Sequence, residues 1–72
     1  MDQKTKQQIE SFAWDVVVGS GRAAEMLDGV GDEPGLDELR GLNAALGHAS
    51  SPEELRCFTD AWDRCLREAA NP

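Results

Sequence analysis

Toward the end of the chain, Leu55, Phe58, Trp62, Cys65, Leu66 and Ala69 recur at spacings of three and four residues. That period is one face of an α-helix, and such a face is stable only when packed against another element. Just before it, "SPEEL" offers Ser51 as N-cap, Pro52 at the first helical position and Glu54 as the reciprocal capping residue. Asp60 with Arg64 and Asp63 with Arg67 stand four apart, acid first, the favourable order for exposed pairs on a helix surface. No segment alternates with the two-residue period of a strand, so the partners of this helix must be helices.

Two further stripes supply them. After Asp2, which suits an N-cap, the residues Ile9, Phe12, Ala13, Val16, Ser20, Ala23, Ala24 and Leu27 keep helical spacing. The stripe holds its phase through Gly19–Gly21, which predicts one helix from Gln3 to Leu27. The alternative is a kink or break at those glycines, each of which weakens a helix by about 1 kcal/mol relative to alanine. "DGVGDEPG" reads as a connecting loop. A second helix is expected from near Pro34, burying Leu36, Leu39, Leu42, Asn43 and Leu46 and ended by Gly47. The expected fold is all-α, a small three-helix bundle forming a single domain over residues 1–72, with Trp62 in its core.

So short a chain barely offsets its own conformational entropy and has no room for a large internal catalytic cavity. It opens on "MDQKTKQQ" without a secretory leader pattern, and no apolar run approaches the roughly 18 residues that span a bilayer. A cytoplasmic protein without a membrane segment is the expectation. Cys57 and Cys65 lie in one predicted helix, with Cα atoms about 12 Å apart. That exceeds disulfide reach, and the spacing is not that of a zinc or redox pair. Both read as reduced thiols, Cys65 on the core face and Cys57 off it.

The remaining motifs carry little chemistry. "GSGR" lacks the order of a Walker loop or a dinucleotide fingerprint and reads as a kink or a close helix contact. The acidic run does not follow the ligand order of a calcium loop. His48, the single histidine, has no orienting partner in sequence and reads as a helix cap or exposed loop residue. Neither an enzyme, a metal site nor a cofactor is expected.

The charge distribution is more informative. The net charge is −7. Between Glu10 and Leu39 stand Glu10, Asp15, Glu25, Asp28, Asp32, Glu33, Asp37 and Glu38 against the single base Arg22, and the rest of the chain balances. Carboxylates three or four apart on a helix lie roughly 5–6 Å apart at Cβ and can imitate a track of phosphates. A surface of lysines and arginines built for nucleic acid would accept such a track, whereas DNA itself would be repelled. The partner is therefore expected to be a basic, nucleic-acid-binding protein or complex, with no direct nucleic-acid contact. Trp14 projects about 130° away from the first helix's stripe, next to Glu10, Val18 and, in a continuous helix, Glu25. It is either an exposed apolar anchor with an acidic rim or a residue covered by the loop or the N-terminus.

In size, acidity and helical character the whole chain resembles the short inhibitors that phages direct against bacterial CRISPR effector complexes, and DNA-mimic proteins more broadly. The resemblance implies a non-enzymatic inhibitor in the host bacterial cytosol, its acidic face occupying a basic channel that would otherwise hold target DNA. The site residues Glu10, Trp14, Asp15, Glu25, Asp28, Asp32, Glu33, Asp37 and Glu38 come from the charge and periodicity reading alone. A small helical adaptor or antitoxin-like interaction module, monomeric or dimeric, is the second expectation.

Overall fold

The computed structural model describes residues 2–30, 33–47 and 51–70. Helix α1 spans Gln3–Ser20 and α2 spans Ala23–Glu25, continuing as a π-helical turn over Met26–Val30; α3 spans Leu36–Leu46 and α4 Pro52–Ala70. The described residues form a small all-α bundle without strands.

Local signals set the helix ends. The Asp2 carboxylate accepts the Thr5 backbone N–H at 2.8 Å, capping α1 as its sequence position suggests. The Thr5 hydroxyl, followed by that backbone bond, holds the Asp2 carboxyl below its usual pKa, so the cap is charged at neutral pH. Ser51 Oγ accepts the Glu54 N–H at 3.2 Å and donates to Glu54 Oε1 at the same distance, closing the first turn of α4.

The long first helix is not continuous. Gly21 adopts φ 68°, the left-handed conformation that favours glycine, and terminates α1. Ser20 Oγ donates to the Val17 carbonyl at 2.9 Å and accepts the Arg22 N–H at 3.3 Å, so "GSGR" works as a helix stop. A Cβ on Gly19 would meet nothing within 4 Å, which removes the close-contact reading of this motif. The chain then rewinds as α2 and its π turn, carrying helical structure past the predicted end at Leu27 to Val30.

The core lies mainly between α1 and α4. Ile9, Ala13 and Val17 of α1 are buried with Phe58, Ala61, Trp62, Cys65 and Leu66 of α4. The buried ridge of α1 therefore ends on Val17, whereas the predicted stripe members Ser20 and Ala24 are exposed. Phe12 stacks obliquely on Phe58 at 5.7 Å between ring centroids, and Phe58 on Trp62 at 5.8 Å. Ala23, Met26 and Leu27 close the α2 end against α4.

Helix α3 makes its close backbone approach to α1, and among the described residues none to α4. One neighbour covers only a narrow face. Leu42 is buried and Leu39 and Leu46 are half-buried, but Leu36 is 71 % exposed and Asn43 is exposed, contrary to the expected burial. Leu36 opens the helix, outside the patch that α1 covers. The predicted Asp60–Arg64 pair also gives way, because packing of α1 on α4 brings Glu10 to Arg64 at 2.7 Å. Asp63–Arg67 forms as expected, at 3.1 Å.

Trp62 is fully buried at the centre of this arrangement, and Trp62→Ala is expected to cost about 3–5 kcal/mol in a chemical denaturation series. Gly41 gives a sharper check on α3, since a Cβ there would lie 2.8 Å from Phe12 Cζ. Helix propensity alone would make Gly41→Ala stabilising by about 1 kcal/mol. The close approach to Phe12 predicts instead a lowered melting temperature, and a raised one would mean that α3 does not seat on Phe12.

Candidate functional site

Where α3 fails to close against α4, a solvent-open groove of about 630 Å³ remains. Half-buried Pro34, Leu39 and Leu55 give it an apolar lining, and Glu33, Asp60 and Asp63 give it three carboxylates. One of the Asp63 oxygens, Oδ2, accepts from Arg67 Nε; the other, Oδ1, is shielded from solvent without a hydrogen-bond partner. Arg67, which also has a further interaction, is the groove's one cation among the described residues. The groove is therefore net acidic. No three described His, Cys, Asp or Glu side chains are gathered closely enough to hold a metal ion.

Sequence reading finds Glu33 but places Asp60 and Asp63 in the scaffold, as members of intrahelical pairs. Their spacing of three, beside Leu55 and Thr59 on one flank of α4, is the signal that could have marked them. Most of the predicted acidic residues face solvent: Asp15, Glu25, Asp28, Glu33 and Asp37 are exposed and Glu38 is half-buried. None of the six enters an ion pair with another described residue. Asp37 and Glu38 lie in the first turn of α3, where carboxylates oppose the positive end of the helix dipole. Glu38 Oε2 folds back to within 2.8 Å of the position a Cβ on Gly35 would take. Asp32 and His48 lie outside the described residues.

Glu10 differs from the rest of the set, because its carboxylate is held by Arg64. It borders a smaller cleft of about 320 Å³ lined by Lys6, Arg56 and Arg64 together with Glu10, Glu53 and Asp60. Charge is matched there from within the chain.

Trp14 is exposed, at 42 % of its surface, and so is Val18 at 51 %. They border an apolar depression of about 480 Å³ with Gly21, Ala24 and Ala69. Its acidic member is Glu68 of α4; the break at Gly21 removes the continuous-helix register that would have set Glu25 beside Trp14.

Among the described residues, no helix is long and apolar enough to cross a membrane. No protein-family model, curated protein or solved structure matches the chain.

Cys57 is half-buried and Cys65 buried, both as free thiols. Burial is the main cause that pushes both thiol pKa values up, with Glu10 adding to the effect at Cys57. The thiolate fraction at neutral pH is consequently below that of an unperturbed cysteine. Iodoacetamide alkylation at pH 7 should be slower than for a free cysteine peptide and should accelerate as pH rises, with Cys57 modified before Cys65. Rapid modification of Cys57 at pH 7 would contradict this assignment.

Proposed function

We propose that this protein is a non-enzymatic inhibitor that docks an acidic, phosphate-imitating surface on a basic nucleic-acid-binding complex of the CRISPR effector type and so blocks DNA binding. The observation that carries the reading is the set of six carboxylates, Asp15, Glu25, Asp28, Glu33, Asp37 and Glu38, spread over four segments with no ion-pair partner among the described residues. Intramolecular pairing absorbs Glu10 and Asp63 but leaves this set open to an external partner. Such a surface accelerates encounter with a basic channel and repels DNA itself. A phage-encoded protein acting in the bacterial cytosol fits this chemistry. The alternative, a helical adaptor or antitoxin-like module, draws its support from the exposed Trp14–Val18 depression. In the inhibitor reading that depression serves as an apolar anchor beside the charged contacts.

The test is competition on a purified DNA-targeting CRISPR effector complex. The protein should lower binding of a labelled target duplex, and excess duplex should displace the protein. Simultaneous binding of both would overturn the inhibitor reading and favour the adaptor. In the combined variant Asp15→Asn, Glu25→Gln, Asp28→Asn, Asp37→Asn, stability should change little, by below about 1 kcal/mol for each exposed charge. Association should slow and lose much of its salt dependence. A folded variant that binds with the wild-type rate at low salt would reduce these residues to a solvated coat.

A further inference from the structure

We propose that the outer face of α1 is a self-association surface, on which a second copy of this chain docks its own α1 antiparallel about Ser11. Lys4, Gln7, Ser11, Trp14 and Val18 are spaced by three, four, three and four residues, and all five are exposed. That spacing is the seam of a two-helix coiled coil, and at 3.6 residues per turn it falls within about 80° of arc. Trp14 and Val18, two of the three large apolar side chains exposed among the described residues, lie on this strip.

Charge selects the occupant. At a net charge of −7, two copies repel one another over most of their surfaces. Helix α1 carries none of that excess, because Lys4 and Lys6 balance Glu10 and Asp15 within Gln3–Ser20. Lys4 and Asp15 are both exposed, and neither enters an ion pair with another described residue. A basic partner is drawn instead to the carboxylates of the segments that follow.

Charge also sets the direction. Parallel helices would stack Lys4 on Lys4 and Asp15 on Asp15. In antiparallel helices centred on Ser11, the second copy's Lys4 lies opposite Val18, with Asp15 on the same flank about 4.5 Å further along the helix. The lysine stem then covers Val18 while its ammonium reaches Asp15, and the two-fold axis repeats the contact. By the same count the second copy's Gln7 falls beside Trp14, and the small Ser11 lets the two backbones approach at the centre. Helix α1 has 18 residues and is therefore about 27 Å long. One seam of that length is at the low end of specific interfaces, so the dimer is weak. It covers the Trp14–Val18 patch, so a complex that uses the patch as an anchor meets the monomer.

The test is sedimentation velocity of the full chain from about 10 µM to about 1 mM, at 0.15 M salt to screen the net charge. The wild type should pass from monomer to dimer. Trp14→Gln should stay monomeric throughout with its melt little changed, since Trp14 lies outside the core cluster. Lys4→Glu and Asp15→Lys should each weaken the dimer several-fold, and the two combined in one chain should restore it. For the register, Ser11→Cys in a Cys57→Ser background should bridge two copies under mild oxidation, whereas Gln7→Cys in that background should not, its two sulfurs lying beyond disulfide reach. A wild type still monomeric at about 1 mM would overturn the proposal, and so would a Trp14→Gln chain that dimerises equally or a combined charge variant no tighter than the single ones. Bridging at Gln7 as readily as at Ser11 would overturn the antiparallel arrangement.

Discussion

The packing of α1 on α4 determines where every other part of this molecule can sit. Ile9, Ala13 and Val17 present a narrow ridge of small and branched side chains, and α4 meets it with Phe58, Trp62 and Leu66. Two aromatic contacts extend that seam through Phe12, whose ring edge is what Gly41 leaves room for on α3. Helix α3 approaches α1 closely at the backbone and α4 only through side chains, Leu42 sharing the core with Phe58, Trp62 and Leu66, and the groove opens between α3 and α4. Gly21 allows the chain to turn and lay α2 against α4 as well.

Stability and surface charge are divided between different residues. Among the described residues no polar or charged residue is buried in the core, and the ion pairs Arg64–Glu10 and Arg67–Asp63 are partly exposed and contribute modestly. Asp15, Glu25, Asp28, Glu33, Asp37 and Glu38 enter no ion pair with another described residue. Concentrated like charge raises the energy of a compact chain and adds nothing to its packing. In the inhibitor reading such a surface persists because it acts on something outside the molecule.

Much of the fold is legible in the sequence because its two longest helices, α1 and α4, begin on unambiguous capping chemistry, whereas α3 begins behind Gly35 without a side-chain cap. Asp2 and Ser51 cap as their positions dictate, Gly47 ends α3, and the α4 stripe buries Phe58, Trp62, Cys65 and Leu66 in the expected phase. The break at Gly21 is only one of two readings of the sequence, since a stripe can keep its phase across a residue that turns left-handed. Leu36 departs from its expected burial because periodicity gives a helix face and not the extent to which a neighbour covers it. Arg64 pairs away from Asp60 because local spacing reveals only local partners, and Glu10 approaches from another helix. The same limit hides the groove. Glu33 and the pair Asp60 and Asp63 are far apart in sequence, and only the seating of α3 on α1 brings them to one opening.

If the acidic surface is carried by the fold and does not hold it together, salt should reveal this in the wild-type chain alone. The decisive quantity is its melting temperature as sodium chloride rises from about 10 mM to 0.15 M, across which the screening length falls from about 30 Å to about 8 Å. Unpaired, mutually repelling carboxylates predict a melting temperature that rises over this range and then levels off. A melting temperature that falls as salt is added would mean that the charges stabilise the fold through attractive pairs, and would contradict the division between packing and surface charge.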